Sequence, residues 1–130
     1  MTDTKDLIHR ECMATLDRFM AALNAWDAAA MDREMHFPHV RLAQGRVALY
    51  ERPGSNPMDL FERLAREDGW KYSRWGGRTL VQCSETKAHY ALDYTRYRAD
   101  DSVIGVYESL YVLLLAEGRW GILARSSFGP

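Results

Sequence analysis

The second half of the chain constrains the fold most, because it alternates apolar and polar residues from position 70 almost to the end. Alternation with a period of two predicts strands, and short turns at 85–86, 100–101 and 117–118 separate the segments. Such short turns join antiparallel neighbours. We therefore predict four long strands in an antiparallel meander, with a bulge or bend at Gly76–Gly77 in the first of them.

The first half of the chain has helical periodicity. Apolar residues at three- and four-residue spacing form one stripe of a helix that ends near Asn24. The stripe consists of Ile8, Cys12, Leu16, Phe19, Met20 and Leu23. Asp27 is placed to cap a short second helix over AAAMDREM. Two short strands, FPHVRLA and GRVALY, flank a turn at Gln44–Gly45, and a third helix from Met58 ends at Gly69.

Helices followed by a meander predict an α+β fold, in which N-terminal helices pack on a strongly curved antiparallel sheet and form a conical pocket. The sequence has no linker, repeat or low-complexity tract, so we predict one domain over residues 1–130. A pocket of this kind is the default ligand site of a small domain.

The charge distribution argues against nucleic acid and membranes as partners. The net charge is -1, and basic residues alternate with acidic ones, so no basic patch is expected. No apolar run approaches the roughly 20 residues that span a bilayer, and MTDTKDLIHRE lacks the apolar core of a signal peptide. We expect a cytoplasmic protein without a cofactor. Cys12 and Cys83 are expected to be buried, inert thiols.

The order of elements resembles that of the nuclear transport factor 2-like superfamily, which includes ketosteroid isomerases, polyketide cyclases and scytalone dehydratase. The resemblance covers nearly the whole chain and rests also on NAWDAAAMDREMHF before the first strand and on EGRWGILARSSF as the closing hairpin. It implies a cone-shaped cavity and a homodimer formed through the sheet. Ketosteroid isomerases carry a carboxylate base near the end of the first strand, whereas RLAQG has no acid between Arg41 and Gly45. This difference argues against their mechanism.

Strand alternation sorts the later residues into two faces. Two-residue turns would place Asp93 opposite Glu108, His89 opposite Val112 and Leu110 opposite Arg125. One face then holds His89, Ala91, Asp93, Thr95, Glu108, Leu110, Val112, Leu123, Arg125 and Ser127. The other holds Tyr90, Leu92, Tyr94, Arg96, Tyr107, Ser109, Tyr111, Trp120, Ile122 and Phe128. A one-residue slip in either turn would exchange members between the faces.

We expect the charged face to line the cavity. Asp93, Glu108 and His89 are then candidate acid/base groups, and Arg125 would orient a carboxylate or bind an anionic ligand. The alternative is a buried structural network of ion pairs without catalysis. The tyrosine-rich face is expected to form a dimer interface, with an aromatic ligand wall as the alternative.

His36 and His39 lie on either side of Pro38 in the segment HFPHV. In an extended strand two residues three apart point to opposite sides, so we expect no metal site here. His39, with Arg41, is expected to face the cavity as a fourth acid/base candidate.

The candidate ligand-binding residues are Arg125, Arg41, Tyr50 and Trp75. Two functions remain open. One is a pocket protein for a small hydrophobic or weakly acidic ligand, with acid/base chemistry of the isomerase, cyclase or dehydratase kind. The other is a non-catalytic homodimeric ligand-binding or scaffold module.

Overall fold

Three helices and six strands follow one another in the predicted order. The computed structural model describes residues 2–130. Its elements are α1 (Thr2–Asn24), α2 (Ala28–Arg33), β1 (Met35–Ala43), β2 (Arg46–Tyr50), α3 (Leu60–Asp68), β3 (Trp70–Cys83), β4 (Lys87–Arg98), β5 (Val103–Ala116) and β6 (Arg119–Ser127). The prediction of an α+β fold is confirmed. Within this range no helix is both long enough and apolar enough to span a membrane.

The strands form one curved, open sheet in the order β2-β1-β6-β5-β4-β3. The meander from β3 to β6 is antiparallel, as predicted. However, the last strand, β6, lies beside β1 in a parallel orientation, so the sheet is not antiparallel throughout. The helices cover the concave face of the sheet, and this arrangement encloses the conical space between the two layers.

The predicted caps and turns lie where the sequence placed them. The Asp27 carboxylate accepts a hydrogen bond from the Ala30 amide at 3.0 Å, which caps α2. Gly69 ends α3 with a φ of 72°, a left-handed conformation that suits glycine. One expectation is wrong. Met58 is fully exposed and precedes α3, because the loop after β2 continues to Asp59.

A bulge interrupts the pairing of β3 with β4 at Gly76–Gly77, between the pairs Trp75–Tyr94 and Arg78–Leu92. A Cβ atom at position 76 would overlap the Asp93 carboxylate. Glycine therefore leaves room for this carboxylate, which would have to rotate away from any larger side chain. The bend that results helps the long strand to curl around the cavity.

The apolar stripe of α1 packs against the sheet as predicted. Cys12 and Leu16 are completely buried, and burial raises the pKa of the Cys12 thiol to about 12. A thiol with so high a pKa stays protonated near neutral pH and is unreactive. Cys83 is also free but is only half-buried, so the expectation of two buried thiols is correct for Cys12 alone.

Asn24 ties the end of α1 to β3. Its side-chain amide donates to the carbonyl of Ser73 at 2.8 Å, and its side-chain oxygen accepts from the Ser73 amide at 2.8 Å. Ser73 is buried, so its backbone groups have no ready access to water. This pair of bonds fixes the helix against the strand that forms one wall of the cavity.

We expect Asn24→Ala to lower the free energy of unfolding by about 2 kcal/mol, because it leaves two backbone groups of Ser73 without partners. Urea unfolding followed by circular dichroism measures the change. Arg10→Ala, at an exposed position of α1, is the control and should change stability by less than about 0.5 kcal/mol. Equal effects of the two substitutions would contradict a specific role for Asn24.

Candidate functional site

A cavity of about 420 Å³ lies between the helices and the concave face of the sheet. This is the size of ordinary small-molecule pockets. Six aromatic side chains line it: Phe19, Tyr50, Trp70, Trp75, Tyr94 and Tyr111. Seven charged side chains line it too: Arg41, Arg46, Arg63, Arg96, Arg125, Glu67 and Asp68. The cavity is therefore aromatic, with an excess of positive charge.

The concave face is the tyrosine-rich one, so the expectation that the charged face lines the cavity is wrong. Tyr90, Leu92 and Tyr94 of β4 are buried beneath the helices. The predicted pairing of Asp93 with Glu108 is confirmed, but both side chains point to the convex face. Large apolar side chains gain more free energy from burial than carboxylates do, and this decides which face the helices cover.

His89 also lies away from the cavity. It pairs with Val112 in the register expected, and its Nδ1 is 2.9 Å from Oε1 of Gln82 on β3. None of the residues that line the cavity contacts His89 through a hydrogen bond. The structure thus does not bring Asp93, Glu108 and His89 together with the cavity, and their acid/base roles stay predictions.

Arg125 does reach the cavity, through an irregularity in β6. The turn at Glu117–Gly118 has two residues as predicted, and pairing runs regularly as far as Leu113 with Ile122. The next pair joins Val112 to Ala124, so Leu123 is an extra residue in β6. This bulge moves Arg125 opposite Tyr111 instead of Leu110 and turns it to the concave face. Ser127 moves to that face for the same reason.

His39 holds Arg125 in place. Nδ1 of His39 is 2.9 Å from the carbonyl oxygen of Ile122, and a carbonyl only accepts, so Nδ1 carries the proton. Nε2 is then an acceptor, and Nε of Arg125 donates to it at 2.9 Å. Burial, and next the charge of Arg125, lower the pKa of His39 to about 3. The imidazole is neutral at ordinary pH, and its lone pair is already engaged.

The rest of the Arg125 guanidinium is packed between rings. Its central carbon lies 5.3 Å from the Phe19 ring centre and 6.0 Å from that of Tyr50. Burial lowers the pKa of Arg125, yet a guanidinium starts so high that it stays charged near neutrality. Burial likewise raises the pKa of Tyr111 to about 12, although the charge of Arg125 partly offsets this shift.

Arg125 has no carboxylate partner in the part of the chain that the structure describes. Its one side-chain hydrogen bond is the Nε bond to His39. The guanidinium also lies close to the Tyr111 hydroxyl at the cavity wall, which is an uncharged partner. A charge that is 8% exposed and has no carboxylate partner is costly to bury.

A second buried arginine lies on the same face. Arg96 is 6% exposed, and its Nη2 donates to the Pro130 backbone oxygen at 3.1 Å. Its Nη1 is buried without a partner among residues 2–130. The rings of Tyr94 and Tyr107 lie 5.8 and 5.0 Å from its central carbon. Buried positive charge is therefore present at two places along the cavity.

A polar group on the sheet lies between the two arginines. The hydroxyls of Tyr94 and Ser127 are 2.8 Å apart, and the Gly129 amide donates to the Ser127 hydroxyl at 2.9 Å. Gly129 occupies one lone pair of Ser127, and either hydroxyl can donate in the bond between Tyr94 and Ser127. The pair supplies hydrogen-bonding capacity to the cavity wall.

His36 takes no part in the cavity. Its Nε2 lies 3.1 Å from the Arg119 carbonyl oxygen, so both histidines of HFPHV bind backbone carbonyls. No group of three or more His, Cys, Asp or Glu side chains is placed to hold a metal ion within residues 2–130. His39 itself sits behind Arg125 and does not line the cavity, in contrast to the expectation.

The four residues predicted to bind a ligand, Arg41, Tyr50, Trp75 and Arg125, all line the cavity. Whether they contact a ligand stays a prediction. Sequence reasoning missed Arg96 as a site residue, although it was placed on the correct face. The signal was present, because YALDYTRYR puts Arg96 in step with Tyr90 and Tyr94, as a charge on an otherwise apolar face.

Solved structures show the same architecture. A protein of unknown function with a cystatin-like fold from Nostoc punctiforme superimposes with a TM-score of 0.76 at 14% identity, over 93% of this chain and 90% of that one. A nuclear transport factor 2-like protein with a cystatin-like fold from Novosphingobium aromaticivorans gives 0.73 at 14%, over 92% and 79%. The chain has the nuclear transport factor 2-like fold. This likeness establishes the fold and not the chemistry.

A third structure with this fold contains a small molecule. A Catenulispora acidiphila protein, solved in complex with S-DNPA, superimposes with a TM-score of 0.75 at 14% identity, over 94% of this chain and 92% of that one. No protein-family model and no curated protein matches the sequence.

The neutral state of His39 makes stability depend on pH. Its pKa is about 3 in the folded state and near 6.5 when exposed, so the unfolded state binds the proton first as pH falls. The stabilisation is complete above about pH 6.5 and is lost on acidification towards pH 3. Between pH 7 and pH 5 we expect the free energy of unfolding of the wild type to fall by about 2 kcal/mol more than that of His39→Gln.

Urea unfolding at pH 7, 6 and 5 measures this difference. His89→Gln is the matched control, since it removes a histidine on the convex face and should keep the wild-type dependence. Parallel curves for the wild type and His39→Gln would show that His39 is not held neutral.

Proposed function

We propose that this chain binds a small hydrophobic anion in its cavity, with Arg125 as the anchor for the negative group. The observation that carries the proposal is the unpaired, buried guanidinium of Arg125 at the cavity wall. Buried charges in proteins are normally paired. An anionic ligand would supply the missing partner in an environment where a charge-assisted hydrogen bond is strong.

The remaining walls suit the apolar part of such a ligand. Trp75 is held by a hydrogen bond from its Nε1 to the Leu16 carbonyl at 3.1 Å, and Trp70 by one to the Ser73 hydroxyl at 2.9 Å. Both indole rings are thereby fixed before a ligand enters. Pre-organised aromatic walls reduce the entropy lost on binding.

The acid/base alternative has less support in this geometry. The carboxylates that line the cavity, Glu67 and Asp68, lie on the surface helix α3. His39 has no free lone pair, because Arg125 donates to it. Isomerase, cyclase or dehydratase chemistry through Asp93 or Glu108 would need the substrate on the convex face. Ligand binding is therefore the function that the cavity supports best.

We expect the wild type to bind 2-naphthoate and Arg125→Gln to bind it about 10- to 100-fold more weakly, because a hydrogen-bonded charge contributes about 1.5–3 kcal/mol. Isothermal titration calorimetry measures both affinities. Urea unfolding of the variant checks that the cavity has not collapsed. Unchanged affinity in a folded Arg125→Gln variant would overturn the role of Arg125.

Two controls sharpen the experiment. Arg74→Gln removes the same charge from an exposed position on β3 that does not line the cavity, and it should leave binding unchanged. The neutral amide of the same ring system, 2-naphthamide, should bind the wild type more weakly than 2-naphthoate. Equal binding of the acid and the amide would mean that the cavity recognises the ring and not the charge.

We further propose that two chains associate through the convex face of the sheet. Val106 and Leu110 lie on β5, a strand in the middle of the sheet, yet they are 61% and 57% exposed. Exposed apolar side chains in the centre of a sheet are typical of an interface. The tyrosine-rich face, which the sequence suggested for the dimer, is occupied by the cavity and the helices.

We expect Leu110→Arg to convert a dimer into a monomer, because it places a charge in the middle of the apolar surface. Light scattering coupled to size-exclusion chromatography at micromolar concentration measures the mass. Met58→Arg, at an exposed loop position away from the convex face, is the matched control and should stay dimeric. A monomeric wild type would overturn the proposal.

A further inference from the structure

We propose that the negative group of the ligand is a dianion, such as a phosphate monoester, held jointly by Arg41 and Arg125. The proposal rests on the anion-binding function above and names the class of ligand more narrowly. Its basis is the position of a second arginine directly beside the first.

Arg41 and Arg125 are register partners on the parallel strands β1 and β6. Neighbouring strands lie about 4.8 Å apart, and partners in register project from the same face of a sheet. Both side chains line the cavity. Their neighbours in the same row are Ala48 on β2 and Tyr111 on β5, which are uncharged at neutral pH. Two positive charges therefore stand side by side with nothing negative next to them in the row.

Like charges at opposed positions of adjacent strands are destabilising. The Arg41 side chain takes part in none of the hydrogen bonds or ion pairs found among the described residues. The charge of Arg41 also contributes to the lowered pKa of Arg125, which agrees with their proximity. A monoanion would compensate one guanidinium and leave the other unpaired. A dianion compensates both.

The donors that remain free suit a tetrahedral group of oxygens. Arg125 donates to His39 through Nε alone, so its two terminal nitrogens have no charged acceptor, although the Tyr111 hydroxyl lies close to the guanidinium. The Arg41 side chain keeps all of its donors. Arginine forks match phosphate oxygens in pairs. Arg46 of β2 also lines the cavity. It lies in the next row of paired residues on this face, in which Ala43 of β1 pairs with Arg46 on one side and with Ser127 of β6 on the other. His39 is neutral and adds no further charge to be compensated.

Three probes with one ring system separate charge from shape: 2-naphthyl phosphate, naphthalene-2-sulfonate and 2-naphthoate. The first is a tetrahedral dianion near pH 7.5, the second a tetrahedral monoanion and the third a planar monoanion. We expect calorimetry at pH 7.5 to give the phosphate at least about tenfold higher affinity than either monoanion. The preference should shrink towards pH 5, because the second phosphate pKa is about 6.

The outcomes distinguish this inference from the function on which it rests. Binding of none of the three probes would overturn both. Binding of 2-naphthoate with no gain for the phosphate would overturn the dianion and leave anion binding intact. Equal affinity for the phosphate and the sulfonate would show that tetrahedral shape, and not the second charge, is recognised, which also overturns the dianion.

A substitution at Arg41 provides the second test. Arg41→Gln should weaken the binding of 2-naphthyl phosphate by about tenfold or more and that of 2-naphthoate by less than about threefold. Arg41→Lys keeps the charge and should retain most of the preference for the phosphate. Arg66→Gln, on the exposed side of α3 and outside the cavity lining, is the charge-matched control and should change neither affinity. Equal losses for both probes in Arg41→Gln would contradict a role specific to the second charge.

Discussion

The hydrogen bond from Arg125 to His39 is the interaction around which the interior is organised. It fixes a guanidinium beneath the helices without neutralising it, because burial and the charge of Arg125 keep the imidazole neutral. The Ile122 carbonyl on the other side of the ring fixes its tautomer. A charge in such a place must be solvated by something. Here the partners of the guanidinium are Nε2 of His39, the ring faces of Phe19 and Tyr50, and the contents of the cavity. The cavity therefore has to stay open to water or to an anion.

This arrangement depends on the parallel pairing of β1 with β6. His39 lies on β1, and its two partners, Ile122 and Arg125, lie on β6. An antiparallel partner in this place would run in the opposite direction and change which residues of β1 stand beside β6. The parallel pair also brings Arg41 beside Arg125. The crossover that carries the chain back to the sheet thus assembles residues that are more than 80 positions apart in the sequence.

Hydrophobic periodicity and turn residues were sufficient to predict the order of helices and strands, because these elements and the two-residue turns depend on local residue patterns. They predicted the pairing of Asp93 with Glu108 as well. They failed at the site for two physical reasons. Which face is concave depends on the total apolar area that the helices can bury, and this is a property of the whole sheet. The face of Arg125 depends on the extra residue Leu123, and the sequence of β6 does not show where in the strand such a residue is inserted.

That extra residue has a consequence for comparing distant relatives. Consider a relative whose last strand lacks the bulge and is aligned with β6 without a gap. The residue that aligns with Arg125 would then point away from the cavity. At 14% identity two chains share few residues from which the position of a gap could be placed. Transfer of a binding role along the last strand therefore requires alignment by inward-facing position. A relative with arginine in the same column of an alignment can lack an arginine that faces the cavity, and a relative without arginine in that column can have one elsewhere on the inner face.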